Sequence, residues 1–378
     1  MDRRDSLDPC TCNPGARLKK DIAGVSRYET IRVVDERMYY PRVALMVLNF
    51  NGLPFLKDCL ESITQSTYPN LEICVIDSGS TDDSCKFVSS NYPKVKVMRF
   101  KQNVGFVHAY NTTVKTVEAD YIVLLNNDTI ADADLIEELV ETAESNAHVG
   151  SVGCRIVQLE GPRRYGPVFF TGNGLYIGPL FFGSAVAKHA VYLTYETATE
   201  CIANSAAAVL YRKSLIDLIG LFDPDFWTDW EDHDLGFRIC VAGYRNLYTP
   251  RTKVLHRGGA TLGPVDSRCR VIRITRNMLF TYVKNYEARN IVLRFFPLLF
   301  GIFPYRELMV ILENEFSLLL GRDPGRRRKL RATYMTFASS YVQFMLGLRR
   351  AMEKRQVVQR LRRVSDEDII RRTSKRIL

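Results

Sequence analysis

The sequence predicts an α/β fold, with a mostly parallel sheet that carries helices on both faces and a helical C-terminal region after it. Short apolar runs, typical of strands buried on both faces, alternate with amphipathic helical segments between residues 41 and 157. This alternation has the spacing of βαβ units. From about residue 266 the pattern is mostly helical and the net charge becomes strongly positive.

Five strands are predicted in the first half of the chain, and each coincides with a short apolar run. They cover residues 43–48, 71–76, 95–100, 120–125 and 149–157. Residues 158–200 differ in composition because they are rich in Gly, Pro and aromatic residues. We expect two or three antiparallel strands there.

Helices are predicted between these strands, and local residues mark where they begin. Pro54 lies in the first turn of a helix over residues 54–66, and Ser80 to Asp83 supply capping residues for the next one. Apolar spacing predicts two more helices. They cover residues 106–119 and 133–146. A further helix is expected to begin near Glu231 and to end at Gly243.

Length and composition indicate a globular protein and exclude several classes. The chain has 378 residues, of which 46% are hydrophobic and 25% are charged. We expect an N-terminal extension (1–40), a catalytic domain (41–265) and a helical, basic region (266–378). No run of 18 apolar residues occurs, so a conventional membrane span is not expected, and the N-terminus lacks the apolar stretch of a secretory signal. Nine cysteines without paired CxxC motifs indicate a reducing cytoplasm.

The basic character of the protein belongs to its C-terminal tail. Residues 322–378 hold 17 basic and 5 acidic residues, a net charge of +12, whereas the remaining chain carries −2. Such a tail favours an anionic surface, and we expect the cytoplasmic face of a membrane rather than nucleic acid. A nucleic-acid-associated protein is the alternative, with aromatic residues such as Tyr334 and Phe337 stacking on bases. A solvated helical pair and an oligomerisation arm also remain open, as does the oligomeric state.

The apolar segment 291–304 is too short to cross a bilayer as a regular helix, since Arg294, Pro297 and Pro304 interrupt it. Packing on the catalytic domain and an interfacial position both remain open for this segment.

Polar, turn-forming segments follow four of the predicted strands. They are residues 49–52, 77–82, 102–106 and 126–128. Ligands of open parallel sheets bind beyond the carboxyl ends of the strands, so these segments together predict one binding site. No GxGxxG follows the first strand and no GxxxxGK[ST] occurs, which disfavours a dinucleotide-binding domain and excludes a P-loop.

Five segments together resemble glycosyltransferase family 2. They read VALMVLNFNG, LEICVIDSGSTDDS, NVGFVHAYNTT, YIVLLNNDT and FDPDFWTDWEDHDLGFRICVAGYR, and the resemblance covers roughly residues 42–260. The resemblance is to the non-processive, rhamnosyltransferase-like branch and implies a GT-A fold. It also implies inverting transfer of a sugar from a nucleoside-diphosphate sugar to a hydroxyl of a glycan or lipid-linked glycan, with Mg²⁺ or Mn²⁺ as cofactor. A sugar nucleotidyltransferase is an alternative, although residues 49–52 lack a basic group.

The resemblance assigns the donor site to residues that follow the strands. The carboxylate of Asp77 would accept a hydrogen bond from a base N–H, and a helix-capping role is the alternative. The predicted donor-binding residues are Asn49, Phe50, Asn51, Asp77, Asn103, Gly105, Asn126 and Asn127.

A cation site is expected where the family carries an Asp-x-Asp motif. The departing diphosphate needs charge compensation, which a hard divalent cation supplies. This sequence has Asn126-Asn127-Asp128 instead, so Asp128 alone offers a carboxylate and Asn126 is expected to contact ribose or sugar. His256 either completes the metal site or is a packed loop histidine.

Trp230-Glu231-Asp232 resembles the family's ED motif. We expect Asp232 to be the general base that takes the proton of the acceptor hydroxyl, and Glu231 to orient a sugar. An acidic helix N-terminus is the alternative interpretation. Asp234 and Arg238 are expected to form an i,i+4 ion pair.

Overall fold

The structure is a computed structural model that describes residues 33–34, 37–159, 168–169, 198–257, 268–295 and 324–373. The chain divides into two units, Met1–Tyr39 and Tyr40–Leu378. In the first unit, β1 (Val33–Val34) pairs antiparallel with β2 (Arg37–Met38). The rest of the predicted N-terminal extension, residues 1–32 and 35–36, lies outside the described residues.

The second unit is built on one large mixed sheet. Its strands are β3 (Val43–Asn49), β4 (Leu71–Asp77), β5 (Lys96–Arg99), β6 (Tyr121–Asn126), β7 (Thr129–Ala131), β8 (Val149–Gln158), β9 (Val168–Phe169), β10 (Thr199–Cys201), β11 (Ala208–Arg212) and β12 (Arg245–His256). The spatial order is β10-β12-β8-β11-β6-β3-β4-β5, with β7 beside β12 and β9 beside β8. β3, β4, β5 and β6 run parallel, as does the β8–β12 pair, whereas β11 is antiparallel to both of its neighbours.

Helices cover both faces of the sheet, as predicted. They are α1 (Leu53–Ile63), α2 (Ser84–Asn91), α3 (Phe106–Thr113), α4 (Leu135–Glu144), α5 (Lys213–Ile219), α6 (Glu231–Val241), α7 (Arg268–Asn285), α8 (Pro324–Leu361) and α9 (Asp366–Thr373). The helix predicted over residues 106–119 ends early, because α3 tightens into a 3₁₀ turn at Val114–Thr116.

Two hydrophobic clusters lie on opposite faces of the sheet. Successive side chains of each strand point to opposite faces, so one strand contributes to both clusters. Leu45 and Val47 of β3 enter one cluster with α1 and α4, whereas Met46 enters the other with α3 and α6. This burial on both faces explains why the first strands are continuous apolar runs.

The C-terminal helices pack against the sheet domain within the same compact unit. Gly347 of α8 allows a close approach to α7, since a Cβ there would lie 2.4 Å from the Phe280 ring. Phe344 and Val358 of α8 join the cluster that contains Met46. The predicted domain boundary at residue 265 stays a prediction.

Two predicted regions lie largely outside the described residues. Of segment 158–200, the structure describes residues 158–159, 168–169 and 198–200. They include the end of β8, the whole of β9 and the start of β10. Strand β9 pairs antiparallel with β8, and β10 pairs antiparallel with β12. Of segment 291–304 it describes the π-helical turn Ile291–Phe295. Among the described residues, no helix combines the length and the apolar character needed to cross a membrane.

Candidate active site

A cavity of about 470 Å³ opens at the carboxyl ends of β3, β4 and β6. This is the edge of the sheet where ligands of such folds bind. Most of the predicted site residues line it: Phe50, Asn103, Gly105, Asn126, Asn127, Asp128, Glu231, Asp232 and His256. Residues far apart in the sequence therefore meet as the strand-end argument predicts.

Asn49 and Asp77 lie behind the cavity wall, and both are fully buried. They are partners in the register of β3 and β4, and Asn49 Nδ2 is 3.4 Å from Asp77 Oδ1. The backbone N–H of Ser80 donates to Asp77 Oδ2 (3.1 Å), and Arg99 Nε lies 3.5 Å from the same oxygen. The predicted contact of Asp77 with a base stays a prediction, and its hydrogen bond to Ser80 resembles the capping alternative.

Asn51 is exposed and organises the wall from the loop after β3. Its backbone has φ = +49°, and its side-chain Oδ1 accepts a hydrogen bond from the N–H of Thr81 (2.8 Å). The N–H of Asn51 donates to Ser80 Oγ (2.9 Å). These bonds join the loop after β3 to the loop after β4, so Asn51 shapes the wall formed by Phe50 and Ser78.

Asn126, Asp128 and His256 form a compact polar cluster on the cavity wall. His256 Nε2 lies 3.1 Å from Asp128 Oδ1 and 3.3 Å from Asn126 Nδ2. The register of β12 with β7, which pairs His256 with Thr129, brings them together. The sequence predicted these residues, and the sheet explains how a position 128 residues away reaches Asp128.

The donor set of this cluster fits one divalent cation. It offers a carboxylate, an imidazole nitrogen and an amide, and Asn126 would present its oxygen after an amide flip. Among the described residues, no group of three or more His, Cys, Asp or Glu side chains is placed to hold a metal ion. Phosphate oxygens and water would therefore have to supply the remaining ligands, as is usual for Mg²⁺ sites.

Glu231 and Asp232 open α6 side by side on the cavity wall, yet their environments differ. Burial, together with the neighbouring Asp232 charge, raises the pKa of Glu231 well above its usual range. Glu231 Oε2 is buried without a hydrogen-bond partner. The pair therefore favours a neutral Glu231 at pH values where Asp232 is charged.

Asp232 is held as a carboxylate. Burial would raise its pKa, but the nearby His233 and donated hydrogen bonds outweigh burial and lower it. His233 Nδ1 lies 2.7 Å from Asp232 Oδ1, and the backbone N–H of Ala206 donates to Oδ2 (3.1 Å). One negative charge is thus placed on Asp232 while its neighbour stays neutral.

The turn before α6 has an unusual backbone. Asp229 (φ = +66°) and Trp230 (φ = +75°) are consecutive non-glycine residues in the left-handed region. The Trp230 indole stacks on the His233 ring at a centroid distance of 4.4 Å. Trp230 thus supports the histidine that binds Asp232.

Asp234 and Arg238 form the predicted i,i+4 pair, with Arg238 Nε 3.0 Å from Asp234 Oδ2. Both side chains are buried, and Arg238 also donates to the carbonyls of Ile219 and Gly220. These contacts confirm a structural role for the pair.

Sequence reasoning missed several residues of the cavity wall. They are Ser78, Ala206, Trp227, Asp229, His233 and Arg270. Ala206 acts through its backbone N–H, which leaves no side-chain signal in the sequence. Trp227 is 52% exposed, and a Cβ on Gly105 would lie 2.7 Å from its ring. A close contact of that kind appears only when the loop before α3 and the loop before α6 are folded together.

Comparisons with known proteins bear on the family and the fold of the chain. Residues 45–206 match the family model "Glycosyl transferase family 2". The chain is 23% identical over 236 residues to N-acetylglucosaminyl-diphospho-decaprenol L-rhamnosyltransferase of Mycobacterium tuberculosis, covering 58% of this chain and 77% of that protein. It is 25% identical over 247 residues to the uncharacterized protein y4gI of Sinorhizobium fredii, covering 63% of this chain but 27% of that protein.

Among solved structures, the chain is similar to the mannosyltransferase PcManGT from Pyrobaculum calidifontis in complex with GDP-Man and Mn²⁺. The TM-score is 0.52 at 18% identity, covering 81% of this chain and 88% of that chain. The chain therefore matches glycosyl transferase family 2 over residues 45–206, and the fold is the GT-A fold of these enzymes. The recognition from the sequence is confirmed.

The contact of Gly105 with Trp227 is testable against a matched glycine. Gly105 (φ = +79°, ψ = 166°) and Gly220 (φ = +75°, ψ = 151°) share a backbone conformation that is almost restricted to glycine, but a Cβ on Gly220 meets nothing within 4 Å. Gly220→Ala should therefore lower the free energy of unfolding by the backbone strain alone, about 1–3 kcal/mol. Gly105→Ala should lower it by about 1–3 kcal/mol more, because Trp227 must move. Urea unfolding measures both, and equal losses would show that the Trp227 contact is unimportant.

Proposed function

We propose that the protein is an inverting glycosyltransferase that moves a sugar from a nucleoside-diphosphate sugar to a hydroxyl of a glycan or lipid-linked glycan. The supporting observation is one cavity that joins two chemistries. The Asn126–Asp128–His256 cluster suits a diphosphate with its cation, and the Glu231–Asp232 pair offers a charged base beside a neutral carboxyl group.

The donor nucleotide is proposed to lie along the wall formed by Phe50, Ser78 and Asn103. Ser78 Oγ lies 3.2 Å from Asn103 Oδ1, so the loops after β4 and β5 are joined at this wall. Asn49, Asn51 and Asp77 do not line the cavity, and their proposed role is to hold these loops in place. The base of the nucleotide and the identity of the sugar are left open by this arrangement.

The diphosphate is proposed to lie against Asp128 and His256, with Asn126 and Asn127 beside it. Asp128, His256 and the Asn126 amide would hold Mg²⁺ or Mn²⁺, which when bound compensates the charge that develops on the departing diphosphate. Because Asp128 supplies the one carboxylate of this cluster, we expect weak binding of the cation without the nucleotide.

Asp232 is proposed as the general base. The acceptor oxygen attacks the anomeric carbon opposite the diphosphate, Asp232 takes the hydroxyl proton, and the nucleoside diphosphate leaves with the electrons of the broken C–O bond. A carboxylate that is ionised at neutral pH can accept this proton at once. Glu231, while protonated, is proposed to donate a hydrogen bond to a sugar oxygen.

Amide substitution should lower turnover by very different amounts at the two carboxyl groups. Asp232→Asn removes the proton acceptor, so turnover should fall roughly 10²–10⁴-fold. Glu231→Gln keeps a neutral hydrogen-bond donor of the same shape, so turnover should fall far less. The measurement is release of nucleoside diphosphate from a panel of UDP-, GDP- and dTDP-sugars with a glycan acceptor extract.

The pH–rate profile separates the two roles further. Because the pKa of Asp232 is lowered, its acidic limb should lie below the usual range of an aspartate; His233→Phe should move that limb upward, since the hydrogen bond to Asp232 is lost. Because the pKa of Glu231 is raised, loss of its proton should give an alkaline limb that Glu231→Gln abolishes. Full activity of Asp232→Asn with an inactive Glu231→Gln would move the base to Glu231.

Binding of the diphosphate should depend on Asp128. Asp128→Ala should weaken Mn²⁺-dependent binding of UDP, GDP or dTDP by about tenfold or more, equivalent to about 1.4 kcal/mol, and should leave binding in EDTA unchanged. The control is Asp58→Ala, because Asp58 pairs with Arg257 at 2.7 Å next to the cluster and does not line the cavity. Calorimetry that finds the same loss in both variants would contradict a specific role for Asp128.

We also propose that the enzyme works at an anionic membrane surface through α8. One face of α8 packs on α7, and the opposite face exposes large apolar side chains in the middle part of the helix. These are Met335, Val342, Met345 and Leu346, the last 81% exposed. Arg349 and Arg350 follow, with side chains 92% and 76% exposed. This arrangement is typical of a helix lying in the lipid headgroup region.

Charge favours lipid over self-association as the occupant of this face. Helix α8 contains ten basic residues and one acidic residue, a net charge of +9. Two copies facing each other would repel, whereas an anionic bilayer attracts each basic group by about 1 kcal/mol near its surface.

Point variants test this face, because deleting α8 would also remove buried side chains such as Phe344. Leu346→Glu should abolish sedimentation of the full chain with vesicles of phosphatidylcholine and phosphatidylglycerol at low salt. Leu218→Glu is the control, since Leu218 of α5 is 61% exposed outside α8. Unchanged sedimentation of Leu346→Glu would refute the proposal, and a dimer that this variant dissociates would assign the face to a second copy.

A further inference from the structure

The left-handed turn that precedes the catalytic pair is held by helix α7, which follows it in the chain. Asn277 is fully buried, and its Nδ2 donates to the carbonyl oxygens of Asp229 (2.7 Å) and Thr228 (3.2 Å). Its Oδ1 accepts from Arg276 (2.8 Å), which fixes the orientation of the amide. One side chain therefore satisfies two consecutive backbone carbonyls of the turn.

The side chain of Asp229 is gripped from the same helix. Arg270 Nε lies 2.8 Å from Oδ1, and Arg273 binds Oδ2 through Nε (2.9 Å) and Nη2 (2.6 Å). Three side chains spaced along α7 thus converge on Asp229. Hydrogen bonds between charged groups with low exposure are among the stronger ones in proteins.

This grip opposes a known backbone preference. A non-glycine residue in the left-handed region costs about 1–2 kcal/mol, and here Asp229 and Trp230 adopt it in succession. Strained backbone of this kind persists where surrounding contacts over-determine it, and it often occurs at active sites. Without Asn277, the turn would gain by returning to negative φ.

The conformation of the turn affects the position of Asp232 through a short series of contacts. Trp230 stacks on His233, and His233 binds Asp232 at 2.7 Å. A change of φ at Trp230 would move its indole and the first peptide of α6. Glu231 and Asp232 would then point away from their present positions on the cavity wall.

We propose that Asn277, with Arg270 and Arg273, is a positioning residue that keeps the Asp229–Trp230 turn left-handed and so aims Glu231 and Asp232 into the cavity. The proposal rests on the proposed function for its kinetic part. It assigns a catalytic duty to α7, which lies beyond the matched family domain of residues 45–206.

The test compares two buried asparagines of α7. Asn277→Ala removes the bonds to the turn. Asn285→Ala is the matched control, because Asn285 is equally buried and donates two bonds through Nδ2, to Asp234 Oδ1 (3.0 Å) and the Thr281 carbonyl (2.9 Å). Both should lower the unfolding midpoint. Asn277→Ala should in addition lower kcat by roughly 10²-fold with unchanged donor KM. Asn285→Ala should change kcat far less, because Lys284 and Arg238 continue to hold Asp234.

Glycine rescue separates positioning from simple stabilisation. Glycine adopts positive φ without steric cost, so Asp229→Gly introduced into Asn277→Ala should recover part of kcat. If the backbone conformation of the turn is not what Asn277 contributes to kcat, Asp229→Gly should recover none of it, since it also removes the partner of Arg270 and Arg273. That result would overturn the proposal.

A spectroscopic measurement keeps the test independent of the proposed function. The chain has two tryptophans, so Trp227→Phe leaves Trp230 as the sole indole reporter. In that background, Asn277→Ala should shift Trp230 emission and increase acrylamide quenching, and Asn285→Ala should do neither. Unchanged emission in Asn277→Ala would overturn the proposal. Absence of transfer by the wild type with every donor, alongside a shifted emission, would contradict the proposed function and leave the clamp of the turn intact.

Discussion

The buried ion pairs of Asp234 fix the position of helix α6, and the candidate active site depends on that position. Asp234 is fully buried and binds Lys284 Nζ at 2.9 Å and Arg238 Nε at 3.0 Å. Burial would raise its pKa, but these two cations outweigh burial and lower it. Removing one partner of such a pair typically costs 3–5 kcal/mol, because the remaining charge is buried alone. Helix α6 is thereby tied to α7 two residues after the Glu231–Asp232 pair.

The same ion network reaches the end of the chain, which changes how the basic tail is understood. Asp223 contacts Lys284 and Lys354, and Lys354 Nζ also lies 2.6 Å from Asp225 Oδ2. Arg355 is buried and donates to the carbonyl of Val283 (2.7 Å). Part of the tail's positive charge is therefore internal and neutralises acids of the domain. Arg349 and Arg350 stay exposed beside the apolar face of α8, where Arg349 pairs with Glu353 and Arg350 lies 3.9 Å from Asp225.

Opposite pKa shifts in adjacent carboxyl groups give the cavity its chemical polarity. His233 and donated hydrogen bonds lower the pKa of Asp232, whereas burial and the charge of Asp232 raise the pKa of Glu231. Two acids that would be equivalent in water are thus separated into a charged and a neutral group, which is how enzymes assign acid and base roles. The separation comes from surroundings contributed by Ala206 and His233, not from the motif letters.

The sequence by itself determined the alternating strands, the strand-end loops and the acidic helix start. Each depends on the spacing of apolar residues or on the residue types within a short segment. Asp128 and Asp232 were singled out by the resemblance to glycosyltransferase family 2, and the match of residues 45–206 to that family's model confirms the recognition. The sequence could not place Asn49 and Asp77 behind the wall, since burial at a strand end depends on the neighbouring strands. Nor could it show Asn277 beneath the Asp229–Trp230 turn, 48 residues earlier in the chain. Only the tertiary structure decided those contacts. The strained Asp229–Trp230 turn and the Asn277 side chain that holds it are distant in the sequence, and no repeating pattern of residues connects them.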